Sequence, residues 1–226
     1  MQRGNVIHHT LEKLLTDYSR EKLCEMSREE LIAAITAIMD EYLASKLDGE
    51  QRNERFLYLY RKLAHNVCDV AQRLIEEFAF SNFSPVEFEL QIGGDGAEIP
   101  PYCVQATEGE VSIYGAIDRV DTAEIEGKKY FRVVDYKSSG KEFRLSDVAQ
   151  GLNMQMFIYL FALWQNGGEK FADSVPAGVL YYPANSPLVT AERGEDPADI
   201  KERKQKKCRM QGIVLENGAV IAAMDN

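Results

Sequence analysis

The sequence predicts an α/β fold in which a mixed central sheet, flanked by helices, follows an N-terminal helical part. Residues 1–82 carry apolar side chains at helical spacing, and residues 83–137 contain strand-like runs. A long helical stretch then separates the last of these runs from another at 175–182. A strand, a helix and a further strand form a βαβ unit, whose two strands are parallel. Because hairpin strands, which are antiparallel, precede this unit, the sheet is predicted to be mixed.

Three helices are predicted before the first strand. The first begins near Gly4, the second follows Ser27, and the third runs from about Gln51 to Phe80. Ser27 and Glu30 have the spacing of a capping box, which supports the start of the second helix. The apolar stripes that predict the three helices are, in order, Leu11, Leu14, Leu15 and Tyr18; Leu31, Ala34, Ile35, Ile38 and Tyr42; and Phe56, Tyr60, Leu63, Val67, Leu74 and Phe78.

The strands and the later helix follow from alternation, turn residues and caps. Ser146 can cap a helix that runs to about residue 165, and Asp147 suits its first turn. The strands are predicted at 84–92, 102–106, 110–120, 129–137 and 175–182.

A basic run lies near the end of the chain, after a polar loop from Asn185 to Asp199. It covers Lys201–Arg209 and holds six basic residues. One interpretation is a solvated helix face. The other is contact with nucleic-acid phosphates, which would add salt-dependent affinity.

Length and composition indicate one globular domain, because 226 residues can bury a substantial core. We expect a mostly helical part at 1–82, a central part at 83–185 and a basic C-terminal segment at 186–226. There is no signal peptide and no apolar run near the length of a membrane span. The four cysteines are widely spaced, as in free thiols of a reduced protein, which predicts a cytoplasmic location.

The net charge of −10 is unusual for a protein that binds nucleic acid. Two explanations are open. The acidic residues can be concentrated on the helical part and leave a basic groove elsewhere. Alternatively, the grip on a nucleic acid comes from another part of a larger assembly.

Two aspartates and a lysine form the candidate catalytic centre. Asp135 and Lys137 stand two apart at the end of a strand-like run, so they share one face. If Glu126 and Gly127 form a two-residue turn, paired positions sum to 253 and Asp118 lies across from Asp135. A bulge at the turn would shift this register. Two facing carboxylates repel unless a cation lies between them, so the pattern suits a hard divalent ion that activates water against a phosphate.

Gln155 and Tyr159 are polar residues in the apolar helix, four apart and therefore on one face. They can form a buried hydrogen-bonded pair. Alternatively, both point at the carboxylates and orient a phosphate or the lysine.

The order and spacing of these motifs resemble PD-(D/E)XK nucleases of the RecB type. The motifs are Gly-x-x-Asp-Arg-x-Asp at 115–121, Asp-Tyr-Lys at 135–137 and Gln-x-x-x-Tyr at 155–159. Further stretches are similar to the nuclease domain of the B subunits of bacterial ATP-dependent helicase/deoxyribonucleases, at 4–12, 151–155, 176–182 and 210–225. The resemblance implies a PD-(D/E)XK core with a helical insertion.

The resemblance also implies roles for individual residues. The metal, Mg²⁺ or Mn²⁺, would be held by His8, Asp118, Asp135 and the backbone carbonyl of Tyr136. His9 lies beside His8, so which of the two is the ligand stays open.

The remaining site residues take their roles from the same resemblance. Lys137 would be the catalytic lysine, and Gln155 and Tyr159 would lie near the phosphate that is cut. Glu89 matches an acid of the family's Pro-x-x-x-Glu stretch, for which we expect a structural role.

The full-length relatives in this family carry a 4Fe–4S cluster on four cysteines. Cys24, Cys68, Cys103 and Cys208 do not match those positions, so we expect this chain to be a fragment that lacks the cluster ligands. The implied partners are single-stranded DNA and the A subunit of the helicase/nuclease, and the implied process is double-strand break repair and recombination.

Two other functions remain open at this stage. One is a stand-alone exonuclease related to the CRISPR-associated Cas4 type. The other is a non-catalytic module that binds DNA or a partner protein on a nuclease fold. The intact acids and lysine favour a working nuclease over the non-catalytic module.

Overall fold

A computed structural model describes residues 3–46, 54–138 and 143–224. The helices are α1 Arg3–Asp17, α2 Arg20–Glu25, α3 Arg28–Lys46, α4 Glu54–Phe80, α5 Leu145–Ala149, α6 Gln155–Asn166, α7 Gly168–Phe171, α8 Pro197–Lys207 and α9 Gly218–Met224. The strands are β1 Ser84–Ile92, β2 Tyr102–Ala106, β3 Gly109–Ile113, β4 Gly115–Ile125, β5 Lys128–Lys137, β6 Val175–Pro183 and β7 Gln211–Val214.

The chain divides into two compact units, here called the helical unit and the sheet unit. The helical unit comprises residues 1–79, 137–140 and 183–209, and the sheet unit comprises 80–136, 141–182 and 210–226. The division into parts at 1–82, 83–185 and 186–226 within one domain stays a prediction.

The helical unit confirms the three predicted N-terminal helices. The Ser27 N–H donates to Glu30 Oε2 at 2.8 Å, and the Glu30 N–H donates to Ser27 Oγ at 3.2 Å, so the capping box forms. The predicted start of the third helix at Gln51 lies outside the described residues. The structure adds the six-residue helix α2, which Ser19 caps and which is too short to give a periodic pattern.

The basic run forms a solvated helix, as one of its two interpretations expected. Residues 201–207 belong to α8, which contains no buried residue. Asp196 caps this helix by accepting from the Ala198 N–H at 2.8 Å. A phosphate contact by the run stays a prediction.

The sheet unit contains a five-stranded mixed sheet in the order β1-β4-β5-β6-β7. The β1/β4, β4/β5 and β6/β7 pairs are antiparallel, so β5 and β6 form the parallel pair that makes the sheet mixed. This arrangement confirms the predicted α/β fold with a mixed central sheet. The strands β2 and β3 form a separate two-stranded hairpin.

Each face of the sheet is covered by a helix of the same unit. One core joins the sheet to α6, and a second core joins it to α9. The first core includes Val120, Phe131, Val133, Met156, Leu160 and Leu163, and the second includes Phe83, Ala123, Tyr130, Val220 and Ala223. The alternation of apolar residues along β4 and β5 therefore serves two cores.

Two predicted elements are wrong in their continuity. The strand expected at 110–120 is divided at Tyr114, because β3 pairs with β2 whereas β4 pairs with β1 and β5. The helix expected at 145–165 is divided into α5 and α6, because Gly151 and Asn153 have φ values of +77° and +55°. Ser146 is not the cap, since Arg144 holds the N-cap position of α5.

No helix within the described ranges combines the length and the apolar character that a membrane crossing requires.

Candidate active site

The register of β4 and β5 agrees with the predicted turn. Pairs run from Ile125 with Lys128 to Arg119 with Val134, and each pair sums to 253. Glu126 and Gly127 have φ values of +52° and +75°, as a two-residue type I′ turn requires. No bulge shifts this stretch, and Asp118 and Asp135 are the next residues on the two strands after its last pair.

Asp118 lies against the peptide that follows Asp135. Its Oδ2 accepts a hydrogen bond from the Tyr136 N–H at 2.8 Å. This contact holds one carboxylate beside the backbone of the second acid, and Asp135 itself is buried with 9% exposure. The contact places the Asp118 carboxylate beside the Asp135–Tyr136 peptide, where a cation site between β4 and β5 would need an oxygen ligand.

Glu89 extends the line of acids onto a third strand, where sequence reasoning expected only a structural role. Phe88 pairs with Arg119 and Leu90 with Ile117, so Glu89 lies level with Asp118. A carboxylate oxygen of Glu89 lies within 4.8 Å of one of Asp118. The φ of Glu89 is +46°, which is rare for a residue with a Cβ and typical of functional sites.

Tyr181 lies on β6, inside the stretch 176–182 that resembles the family, and its phenol is influenced by Asp135. Burial raises the pKa of its phenol, and the negative charge of Asp135 raises this pKa further. The Phe143 ring lies 5.6 Å from the Tyr181 ring. Tyr181 therefore stays protonated near Asp135, where its O–H is a donor.

The two polar residues of α6 contact each other. Gln155 Nε2 donates to Tyr159 Oη at 2.8 Å, and Tyr159 is buried whereas Gln155 is exposed. The Tyr159 hydroxyl lies directly over Gly115, where an added Cβ would overlap it. Since Gly115 begins the strand that carries Asp118, this contact ties the Gln-x-x-x-Tyr motif to the acidic strand.

Gly115→Ala tests that contact. The new methyl group would overlap the Tyr159 hydroxyl and ring, so we expect a loss of about 1–3 kcal/mol in the free energy of unfolding. Thermal or urea denaturation followed by circular dichroism measures the loss. Adding Tyr159→Phe should restore part of the stability, because it removes the nearest atom.

Gly218→Ala is the matched control for this substitution. Nothing lies within 4 Å of a Cβ built at Gly218, so we expect almost no change in stability. Equal effects of the two glycine substitutions would contradict the proposed packing of Tyr159 on Gly115.

A buried network of charged side chains contacts Tyr136. It lies on the face of β4 and β5 opposite to Asp118. Arg119, Asp121 and Arg132 are each 0% exposed. Asp121 Oδ2 accepts from Arg119 Nη2 at 2.9 Å and from Arg132 Nε at 2.8 Å. Arg119 Nη1 also donates to Tyr136 Oη at 3.2 Å, and the Arg132 guanidinium lies 4.8 Å from the centre of the Phe83 ring.

This network explains the second half of the Asp-Arg-x-Asp motif. The sequence marks Arg119 and Asp121 by placing charge inside an apolar strand, and the turn register places Arg132 across from Asp121. Only the structure shows that all three side chains are buried. The contacts form a chain from Asp121 through Arg119 to Tyr136, whose N–H holds Asp118. The network thus helps to orient the Asp135–Tyr136 peptide, whose N–H binds the Asp118 carboxylate.

His8 and Lys137 belong to the helical unit. His8 is partly buried on α1, and Lys137 is the last residue of β5. The Lys137 carbonyl accepts from the Ala184 N–H at 2.9 Å, which anchors its backbone. The metal-binding role of His8 and of the Tyr136 carbonyl, and the catalytic role of Lys137, stay predictions.

Comparison with known proteins gives consistent matches across the chain. The relatives include three proteins that are each described as the B subunit of an ATP-dependent helicase/deoxyribonuclease. The one from Ruminiclostridium cellulolyticum is 33% identical over 99% of this chain and 20% of the relative. The one from Acetivibrio thermocellus is 32% identical over 98% of this chain and 20% of the relative. The one from Oceanobacillus iheyensis is 35% identical over 77% of this chain and 15% of the relative.

The chain thus spans about a fifth of the length of the curated relatives that it matches. A family model described as the PD-(D/E)XK nuclease superfamily matches residues 1–225 of this chain. The mixed sheet, with Asp118 held against the Asp135–Tyr136 peptide, agrees with that match. This chain belongs to the PD-(D/E)XK nuclease superfamily.

Proposed function

We propose that this chain is a metal-dependent nuclease domain that hydrolyses phosphodiester bonds of single-stranded DNA, as an exonuclease. The observation that carries the proposal is the hydrogen bond from the Tyr136 N–H to Asp118, with Glu89 within 4.8 Å of that carboxylate. These contacts bring together oxygen atoms from β1, β4 and β5, which are neighbouring strands of the sheet.

The donor set fits a hard divalent cation. Asp118, Asp135 and Glu89 offer carboxylate oxygens, and Tyr136 offers a backbone carbonyl, which together suit Mg²⁺ or Mn²⁺. We include His8 as a nitrogen ligand. When bound, the ion would lower the pKa of a coordinated water and withdraw negative charge from the phosphate.

The protein residues then divide the remaining work. The Lys137 ammonium orients the attacking water or stabilises the charge on the phosphate as it grows. The water oxygen bonds to phosphorus, the ester P–O bond breaks, and the leaving oxygen takes up a proton. Gln155 and Tyr159 position the strand, with Tyr159 held over Gly115.

The wider role follows the relatives' descriptions. They are subunits of ATP-dependent helicase/deoxyribonucleases, which supports a domain that cuts a strand delivered by a helicase. We further propose, from the family resemblance, an A subunit as partner and a role in double-strand break repair and recombination. The same descriptions favour this role over a stand-alone exonuclease of the Cas4 type. The absence of the 4Fe–4S ligands from this chain stays an expectation from the family resemblance.

A metal titration tests the site. Millimolar Mg²⁺ or Mn²⁺ should raise the melting temperature of the wild-type protein, because binding relieves the repulsion between carboxylates. The shift should vanish in Asp118→Asn, which keeps the side-chain shape and removes the charge. The wild type should cleave labelled single-stranded DNA only when the metal is present.

Asp95→Asn is the control, since Asp95 is an exposed aspartate of the sheet unit outside the site. It should shift with metal as the wild type does. A similar shift in Asp118→Asn would contradict the metal assignment. A normal shift without cleavage of any DNA strand would contradict the nuclease activity and leave the metal site standing.

A further inference from the structure

Tyr114 is an exposed aromatic residue between the two sheets of the sheet unit. It separates β3, which ends at Ile113, from β4, which begins at Gly115. Its side chain is 60% exposed, although it directly precedes the strand that carries Asp118. The apolar surface of the ring is therefore open to a partner beside the acidic strand.

The ring is braced on the backbone of a glycine. A Cβ at Gly93 would come within 3 Å of two carbons of the Tyr114 ring, and it would reach the Pro101 Cβ at 3.0 Å. Gly93 has a φ of +68°, and its N–H donates to the Ile99 carbonyl at 2.7 Å. One side of the ring is thus packed on a fixed turn, which reduces the entropy that a ligand must remove on binding.

A continuous set of contacts connects Tyr114 with the candidate active site. Its neighbour Gly115 lies under the Tyr159 hydroxyl, which accepts from Gln155. Asp118 follows four residues after Tyr114 along the chain, or about 13 Å at the rise of an extended strand. At roughly 3.4 Å per nucleotide along a stacked strand, this distance corresponds to about four nucleotides.

The charge of the chain makes an aromatic contact useful. At a net charge of −10, this chain has little overall attraction for phosphates. Glu89 and Asp118 add negative charge where a DNA strand would have to lie to be cut. Stacking of a base on an aromatic ring does not depend on charge and tolerates any base sequence. A nuclease that degrades arbitrary sequence needs a hold of this kind.

We propose that Tyr114 is a stacking platform for a nucleobase of the single strand whose phosphate lies at Asp118. The ligand class is an unpaired base within about four nucleotides of the phosphate that is cut. This inference rests on the nuclease function proposed above and adds to it the residue that grips the strand.

The test compares strands with and without bases. The probes are a twenty-nucleotide oligo-dT and a sugar–phosphate strand of the same length that lacks all bases, each labelled for fluorescence anisotropy. Tyr114→Ala and Tyr114→Leu should raise the Kd for oligo-dT about tenfold, the scale of one lost stacking contact. Tyr114→Phe should stay within about twofold of the wild type, because it keeps the ring.

Neither Tyr114→Ala nor Tyr114→Leu should differ from the wild type on the strand without bases. Tyr58→Ala is the matched control, because Tyr58 is 65% exposed and lies on α4 of the helical unit. It should bind both strands as the wild type does. Tyr114→Leu retains apolar bulk against Gly93, so it serves if Tyr114→Ala does not fold.

Three results would overturn the proposal. They are unchanged binding of oligo-dT by Tyr114→Leu, an equal loss on both strands, and an equal loss in Tyr58→Ala. In each case, metal-dependent cleavage by the wild type would still support the nuclease function. A wild type that neither binds nor cleaves any strand would reject both proposals.

Discussion

Lys137→Ala is expected to reduce the rate of DNA cleavage at least roughly a hundredfold, the scale of losing one donor that stabilises charge in the transition state. The fold should survive, because the contact that anchors residue 137 uses its carbonyl and the Ala184 N–H. The metal-induced rise in melting temperature should also survive. Single-turnover cleavage of labelled single-stranded DNA, beside thermal denaturation with and without Mg²⁺, measures all three properties.

Lys128→Ala provides the control on the same strand. Lys128 is an exposed lysine at the first position of β5, next to the turn and at the opposite end from the acids. Its removal changes the net charge by the same amount and should leave cleavage unchanged. If Lys137→Ala cleaves as fast as Lys128→Ala, Lys137 has no catalytic role.

Asp121→Asn is expected to cost roughly 3–5 kcal/mol of unfolding free energy, because it leaves two buried guanidinium groups without a counter-charge. Arg119 and Arg132 are both 0% exposed and both donate to this carboxylate. Urea denaturation followed by circular dichroism measures the loss. Replacing all three charged side chains together by apolar ones should cost less, because no unpaired charge then stays buried.

The Arg28–Asp69 pair offers a control at the same distance. Its nitrogen and oxygen lie 2.8 Å apart, as in the Arg132–Asp121 pair, but the Arg28 and Asp69 side chains are 47% and 32% exposed. Asp69→Asn should therefore cost no more than about 1 kcal/mol. Similar losses in the two variants would show that burial does not set the strength of the Asp121 network.

Local signals in the sequence were sufficient for the elements whose hydrogen bonds are local. Ser27 and Glu30 cap α3 as their spacing predicts, and Glu126-Gly127 forms the expected turn. The turn fixes which residues pair, so the register up to Arg119 and Val134 could be predicted as well. The superfamily was predictable from the order of three short motifs, and the comparison confirms it.

The strand that was predicted wrongly depends on partners far away in sequence. Alternation continues through 110–120, and no residue there signals that Ile113 pairs with β2 while Gly115 pairs with β1. The break between α5 and α6, in contrast, has a local cause at Gly151 and Asn153, which the apolar stripe of the predicted helix obscured. Asn153 takes a positive φ, and its side chain donates to Asp147 Oδ2 at 3.2 Å in the folded chain.

The sequence by itself determined the α/β class, the turn that sets the register of β4 and β5, and the residue types that suit a divalent cation. These features depend on periodicity, on turn chemistry and on side-chain oxygens, which are properties of short segments. Only the tertiary structure decided that Glu89 joins Asp118 and that Arg119, Asp121 and Arg132 are fully buried. The first depends on the pairing of β1 with β4 and the second on burial, and neither follows from local spacing.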